Sequence, residues 1–186
     1  MNFRIRNNKL AQVWIETVIY TLIALTVIGL FLSFAKPKVE EIQDKAIIDQ
    51  SLEMLESMDN LILELIQGGS GNKRIPEVGI KKGSLTFDGI NNQLIFELEG
   101  RYMFTEPGLD GTQGPYVQVG NILASTARRG DLSIVTLISN YTGRYDIKYK
   151  GSDTQKTISK APVSYKISME NIGDPAGIPI VNFGVE

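Results

Sequence analysis

Residues 13–34 read VWIETVIYTLIALTVIGLFLSF, and this stretch decides the architecture of the chain. Glu16 is the only charged residue among these 22 positions. A helix needs about 20 predominantly apolar residues to cross the hydrocarbon core of a bilayer. The stretch therefore predicts a membrane-spanning helix near the N-terminus of a chain of 186 residues.

A short basic segment precedes the span. Residues 1–9, MNFRIRNNK, carry Arg4, Arg6 and Lys9 and no acidic residue. Cationic flanks of a first span stay in the cytoplasm, so we expect the chain from Lys38 onward on the outer side. A secretory signal has an apolar core of about 7 to 15 residues followed by a small-residue cleavage site. This core is longer and continues into FAKPKVEE, so we expect the span to be retained.

The junction between the basic segment and the span carries a motif. Residues 9–16 read KLAQVWIE. This run resembles the class III signal of archaeal type IV pilins and archaellins, in which a prepilin peptidase cuts on the cytoplasmic side just before the apolar helix. The resemblance implies cleavage between Ala11 and Gln12, which removes residues 1–11 as a leader. It also implies that Glu16 is the acidic fifth residue of the mature chain.

Glu16 has two interpretations. A carboxylate inside a span is expensive without a partner, which makes it a functional hypothesis. The resemblance implies that this partner is the α-amine of Gln12, created by cleavage, on the same or a neighbouring subunit. In the second interpretation Glu16 lies barely a turn inside the membrane and reaches back to the headgroups. We favour the role in assembly because Glu16 coincides with the basic leader, Ala11 and Gln12.

The helix is expected to continue beyond the membrane. Apolar residues recur every three or four positions, as on one stripe of a helix, at Ile48, Leu52, Leu55, Met58, Ile62 and Ile66. Acidic residues follow the opposite face, at Glu40, Asp44, Glu53, Glu56, Asp59 and Glu64. Pro37 either kinks the helix or begins a new first turn, and Gly68, Gly69 and Gly71 end it. We predict one helix over residues 12–67, membrane-spanning over 12–35 and amphipathic over 38–67.

Residues 73–186 predict an all-β domain, because short alternating runs are separated there by Gly, Pro, Asn and Asp. The predicted strands are Leu85–Phe87, Leu94–Leu98, Arg101–Thr105, Tyr116–Val119, Leu132–Ser139, Tyr145–Lys150, Val163–Met169 and Ile180–Val185. This spacing favours a sandwich, although a single meandering sheet is not separable from it by sequence. The resemblance implies an immunoglobulin-like sandwich. The expected fold class is α+β, a long hydrophobic helix followed by a β-sandwich head.

The composition excludes several chemistries. The chain has no histidine and no cysteine, which removes Ser/His/Asp and Cys/His catalysis, thiolate or imidazole zinc sites and disulfides. We therefore predict neither an enzyme nor a cofactor. Glu106 and Asp110 offer calcium-type oxygens in EPGLDGTQGP, but they lack the regular acidic spacing of a calcium loop. A plain turn-rich loop is the favoured interpretation, and no metal site is predicted.

Two further features concern modification and partners. Asn140, Tyr141 and Thr142 form an N-glycosylation acceptor, which fits an exposed loop of an extracellular protein. The chain carries 19 basic and 21 acidic residues, a net charge of −2. Without the leader the count is 16 against 21, or −5, and there is no basic stripe with interleaved aromatic residues. Nucleic acid is therefore not an expected partner.

The resemblance implies a structural subunit of a type IV pilus-like filament. Such a chain sits in the membrane as a precursor and becomes part of an extracellular helical polymer of identical subunits. A prepilin peptidase and an assembly ATPase with its membrane platform are the implied partners. The alternative is a single-pass, membrane-anchored surface binding module whose leader stays uncut.

Overall fold

The N-terminal helix is continuous. The computed structural model describes the backbone of residues 9–175 and 177–185, and side chains from Val13 onward within those ranges. Helix α1 spans Lys9–Gln67 and runs through Pro37, although proline has no amide hydrogen to donate. It ends where the amide of Gly68 donates to the carbonyl of Glu64 at 2.9 Å and Gly69 takes a φ of 83°. Glycine favours that left-handed conformation, so the glycine cluster stops the helix as predicted.

The chain divides by its internal contacts into two compact units, Met1–Val39 and Glu40–Glu186. The boundary lies inside α1. The amphipathic half of the helix therefore belongs to the same unit as the strands. We call residues 40–186 the head unit.

In its described ranges the head unit contains two β-sheets. Their strands are β1 (Lys73–Arg74), β2 (Glu77–Val78), β3 (Ser84–Asp88), β4 (Gln93–Gly100), β5 (Val117–Val119), β6 (Ile122–Arg129), β7 (Leu132–Asn140), β8 (Asp146–Tyr149), β9 (Gln155–Ser159), β10 (Tyr165–Asn171) and β11 (Ile180–Val185). Sheet 1 has the order β1-β10-β11-β8, with β2 also pairing with β10, and sheet 2 has the order β5-β6-β7-β4-β3-β9. All named pairs are antiparallel except β8 with β11, which is parallel.

Both sheets and the second half of α1 share one apolar core. Leu94, Phe96 and Leu98 point into it from β4, as the two-residue period of a strand requires. The ring of Phe87 in sheet 2 lies 5.1 Å from that of Phe183 in sheet 1. The helix contributes buried residues at alternating intervals of four and three, namely Asp44, Ile48, Ser51, Leu55, Met58, Ile62 and Leu65. The predicted amphipathic stripe is thereby confirmed, with Leu52 and Ile66 at its half-buried flanks.

The α+β fold class is confirmed, since a long helix precedes a head rich in β-structure. The head has two sheets that meet at Phe87 and Phe183, which excludes the single meandering sheet. Most predicted strands coincide with observed ones to within a few residues. Two observed strands of sheet 2 were not predicted from sequence, β6 and β9. The inward side of β6 carries small and hydroxyl residues, Ala124 and Thr126, and β9 is an edge strand exposed at four of five positions.

The strand predicted at Arg101–Thr105 is wrong, because this segment is irregular. Three of its amides are satisfied by side chains and not by a neighbouring strand. Arg101 donates its amide to the Asp44 carboxylate at 2.7 Å. The Thr126 hydroxyl oxygen accepts from the amides of Phe104 and Thr105 at 3.1 and 3.0 Å. A pattern of alternating side chains cannot reveal such partners.

Strand β4 defines the two ends of the head unit. At its C-terminal end Gly100 packs directly against the carboxylate of Asp44, and we call this the Asp44 end. At the other end Ile90 occupies the turn between β3 and β4, and we call this the Ile90 end. The eight residues of β4 separate them by about 23 Å, at about 3.3 Å per residue.

Candidate functional site

The apolar half of α1 exposes its side chains all round. Val13 at its start is 59% exposed and Phe34 at its end 77%, and the lowest value among the large apolar side chains between them is 39%, at Val18. The other large side chains exposed between them are Trp14, Ile15, Val18, Ile19, Tyr20, Leu22, Ile23, Leu25, Val27, Ile28, Leu30, Phe31 and Leu32. The most apolar window of 18 residues has a mean hydropathy of 2.4, and none of it is buried. By length and composition this helix can cross a membrane, and its surface needs a lipid or protein cover.

The threonine and serine hydroxyl groups within this half are satisfied by the helix itself. Thr17, Thr21, Thr26 and Ser33 each donate to the backbone carbonyl four residues earlier, at 2.7–2.9 Å. Polar groups without a partner are costly in an apolar surrounding. These four residues therefore do not oppose burial in lipid or against other helices.

The predicted cleavage position falls at the edge of the described part. The backbone of Ala11 and Gln12 belongs to α1, but their side chains lie outside the described residues, as do residues 1–8 of the leader. Glu16 lies in the exposed apolar half of α1, one turn beyond Gln12. Cleavage at Ala11 and the role of Glu16 in assembly stay predictions.

Asp44 is the main departure from the sequence-based assignment of helix faces. It was placed on the polar face, but it is only 2% exposed and points into the head unit. Its carboxylate pairs with the Lys82 ammonium and accepts the amide hydrogen of Arg101. The Arg101 guanidinium in turn bonds the Glu40 carboxylate at 2.7 Å. Glu40 and Asp44, one helical turn apart, thus bond α1 to Lys82, which precedes β3, and to Arg101, which follows β4.

Gly100 makes this contact sterically feasible. A Cβ atom at position 100 would lie 2.2 Å from Oδ2 of Asp44, well inside contact distance. The spacing of Asp44 and Gly100 along the chain, 56 residues, gives no local signal of their meeting. Sequence reasoning therefore missed both residues.

Two further contacts hold the upper part of α1. Asn121, at the β5–β6 turn, donates to the Asp59 carboxylate at 3.0 Å. Asn171, at the end of β10, donates to the carbonyl of Leu65 at 3.3 Å. The contacts of Asp44, Asp59 and Leu65 thus hold the helix against the rest of the head unit at three positions along its length.

Near Asp59 lie two buried hydroxyl groups, those of Ser139 and Tyr141. Neither forms a hydrogen bond of ordinary geometry among the described residues, although the Tyr141 phenol lies close to both Ser139 and Asp59. Burial, reinforced by the charge of Asp59, raises the pKa of Tyr141. The phenol is therefore neutral at physiological pH, and it serves as packing within the core.

A groove of about 260 Å³ runs between α1 and the segment that contains β2. Met54, Met58 and Leu61 of the helix form one wall, and Val78 and Ile80 form the other. Its volume lies just below the usual range for ligand pockets, about 300–1,000 Å³. Polar side chains, among them Gln50, Ser57 and Glu77, line the groove beside these apolar ones.

Asn140 lies at the Ile90 end, where it pairs with Gln93 of β4 at the close of β7. Its side chain is exposed, and its carbonyl oxygen accepts the amide hydrogen of Thr142 at 3.0 Å. The Thr142 hydroxyl donates to the carbonyl of Asn91 at 3.0 Å. The acceptor motif is thus at the surface, and its glycosylation stays a prediction.

The nearby turn is organised by Asp88. Its carboxylate is buried and accepts hydrogen bonds from the amides of Ile90 and Asn91 and from the side chains of Asn91 and Gln155. Burial alone would raise the pKa of Asp88, but these four bonds outweigh it and hold the pKa below 3.8. The carboxylate is therefore a structural anchor of the Ile90 end.

Glu106 and Asp110 lie in a turn-rich loop, as the favoured interpretation of their segment predicted. Leu109–Gly111 forms a 3-10 turn, and the amide of Gly108 bonds the carbonyl of Thr112 at 2.9 Å. Among the described residues, no three acidic side chains gather where they could hold a metal ion.

The comparisons with known proteins add no relative to this picture. No protein-family model, curated protein or solved structure matches the chain.

Proposed function

We propose that the chain is a structural subunit of an archaeal type IV pilus-like extracellular filament, anchored in the membrane by α1 before assembly. The observation that carries the proposal is the exposure of every large apolar side chain between Val13 and Phe34. An apolar surface of this size is stable in lipid or against copies of itself, because its exposure to water is unfavourable. The KLAQVWIE motif at its start supports processing of the pilin kind.

The mechanism begins with removal of residues 1–11 by a prepilin peptidase. An assembly ATPase and its membrane platform then extract the span. Spans that leave the lipid bury their apolar surface against one another and form a helical core, with the head units outside. The hydrophobic effect drives this step, and neither a cofactor nor a catalytic residue of the chain takes part.

Glu16 has a specific role in this scheme. Cleavage creates a positive α-amine at Gln12, and the Glu16 carboxylate neutralises it on its own or a neighbouring subunit. Glu16→Gln removes the charge with little change of shape, so it should abolish filaments without preventing cleavage. Glu53→Gln, on the exposed face of the head unit, is the matched control and should assemble normally. Normal filaments from Glu16→Gln would contradict the assignment.

The experiment that tests the function is the N-terminal mass of the protein recovered from native cell-surface material. A chain that begins at Gln12 and is found in filaments by electron microscopy would support the proposal. A chain that begins at Met1 or Asn2 would overturn it.

The second candidate is a membrane-anchored binding module with an uncut leader. The apolar groove beside Met54 and Met58 favours it, because a binding module needs a concave apolar site. This candidate predicts a monomer or small oligomer in detergent. Light scattering of the purified protein, together with the N-terminal mass, separates the two functions.

A further inference from the structure

The Asp44 end of the head unit exposes apolar side chains on two loops. Leu109 is 90% exposed, the highest value among the large apolar side chains of the described residues. Val163 is 74% exposed on the loop between β9 and β10, and Met103 is 51% exposed. Such side chains gain free energy if a partner removes them from water.

The strand register places Leu109 at this end. Gly100, Ser133 and Arg128 form one row across β4, β7 and β6. A Cβ atom at Gly111 would lie 2.7 Å from the carbonyl oxygen of Arg128. The 3-10 turn that carries Leu109 therefore packs beside this row, which begins at Asp44.

The register also places Val163 there. Ser159, the last residue of β9, pairs with Ser84, which pairs with Glu97 near the end of β4. The amide of Ala161 then donates to the carbonyl of Ile80 at 3.1 Å. Val163 follows two residues later, so both loops project from the same end.

Internal hydrogen bonds fix the loop that carries Leu109. The amide of Gly114 donates to the carbonyl of Thr126, and the Ser125 hydroxyl donates to the carbonyl of Gly114. Nearer the start of the loop, the amide of Phe104 donates to the Thr126 hydroxyl oxygen. The exposure of Leu109 is thus a property of the folded loop and not of a frayed segment.

Lysines accompany the apolar residues at this end. Lys81 and Lys160 line an open cavity of about 300 Å³ with Ala161 and Pro162. Their ammonium groups are point charges suited to phosphate oxygens. An apolar side chain beside lysines, as at Val163, is typical of a surface that meets lipid headgroups, whereas Leu109 is followed by the exposed Asp110.

The chain itself limits how far this end can lie from the membrane. Asp44 follows Phe34, the last residue of the apolar run, by ten residues. Ten residues span at most about 35 Å even when fully extended. The Ile90 end has no such short tether, since it lies about 23 Å farther along β4.

We propose that the Asp44 end of the head unit makes a second contact with the membrane. Met103, Leu109 and Val163 enter the interfacial layer, and Lys81 and Lys160 meet the lipid phosphates. The contact rests on the membrane anchoring in the proposed function, and it holds the precursor against the bilayer before assembly.

Single-cysteine variants of the full chain test this contact, because the protein has no cysteine of its own. Leu109→Cys and Val163→Cys receive an environment-sensitive nitrobenzoxadiazole label. Ile90→Cys is the matched control, since Ile90 is 64% exposed at the opposite end. Each protein is reconstituted in phosphatidylcholine–phosphatidylglycerol vesicles with or without lipids that carry a nitroxide near the glycerol. Trp14, the single tryptophan, reports insertion of α1 in the same samples.

We expect nitroxide lipids to reduce the fluorescence of the labels at positions 109 and 163 and of Trp14, and to leave the label at position 90 unchanged. Quenching of Trp14 without quenching of both head labels would overturn the contact while anchoring stands. Labels shifted to the blue without nitroxide quenching, more so at high protein density, would identify a second copy as the partner and overturn the proposal. An unquenched Trp14 would overturn the anchoring and the contact with it.

Discussion

Asp44 determines where the helix is fastened to the strands. A carboxylate that is 2% exposed is tolerated because an ammonium and a backbone amide both bond to it. Its neighbours in sequence, VEEIQDKA, look like a solvent-facing helix turn, so the sequence assigned it to the wrong side. The burial of a charge depends on partners 38 and 57 residues away, and periodicity contains no information about them.

Substitution of Asp44 should reveal this role. Asp44→Asn keeps the shape but loses the charge, so the free energy of unfolding should fall by about 1.5–3 kcal/mol, the contribution of hydrogen bonds to a charged group. Chemical denaturation of the protein in detergent micelles measures the change. Asp49→Asn, an exposed acid on the same helix, should be nearly neutral. Equal losses from both variants would contradict the role.

Asp88 should make stability depend on pH. Its pKa is lower in the folded chain than the ordinary 3.8, so it contributes stability above that value and loses it as the pH falls through the folded pKa. The difference in unfolding free energy between the wild type and Asp88→Asn should therefore be largest at neutral pH and shrink below about pH 4. Asp131→Asn, in an exposed turn, provides the control. A difference that is constant down to pH 2 would refute this.

At the scale of elements, the segment 101–105 shows how tertiary partners override a strand pattern. Tyr102 and Phe104 alternate with more polar or more exposed residues, and this alternation predicted a strand. In the structure Tyr102 and Phe104 both pack against the core with their rings 6.5 Å apart, edge to face. The backbone can do this because Thr126 supplies the acceptor that a strand neighbour would otherwise supply.

Removal of that acceptor should loosen the segment. Thr126→Val leaves the amides of Phe104 and Thr105 without a partner, so their hydrogen exchange should accelerate and the protein should lose about 1–3 kcal/mol of stability. Thr126→Ser retains the oxygen and should restore slow exchange at both amides. Hydrogen exchange read by mass spectrometry or NMR decides between the two results. Unchanged exchange in Thr126→Val would show that another group accepts these hydrogens.

At the scale of the whole molecule, the exposed apolar side chains and the acceptor asparagine lie in different regions of the chain. The exposed apolar half of α1 belongs to one unit, whereas Asn140 and the exposed loops belong to the head unit. Within the head unit the acceptor asparagine lies at the Ile90 end and the exposed loops at the Asp44 end. A glycan on Asn140 would therefore leave the Asp44 end uncovered.

Glycosylation of Asn140 gives a whole-molecule prediction. Protein from the native source should carry added mass that disappears in Asn140→Gln and in Thr142→Val, because the acceptor needs both the amide and the hydroxyl residue. Thr142→Ser preserves the acceptor motif and should keep the modification. Intact-mass spectrometry measures it. A mass equal to that of the bare chain in the native protein would show that the site is unused.

The sequence by itself determined the long apolar helix, the amphipathic stripe, the glycine stop and the β-rich head. These features depend on local composition and on periods of two or 3.6 residues, which can be read along the chain. Only the tertiary structure decided that Asp44 is buried, that residues 101–105 are not a strand, that β6 and β9 complete sheet 2, and that Leu109 and Val163 project from the same end. Each of these outcomes depends on groups that are distant in sequence, because hydrogen-bond partners and strand register are set only when the chain packs.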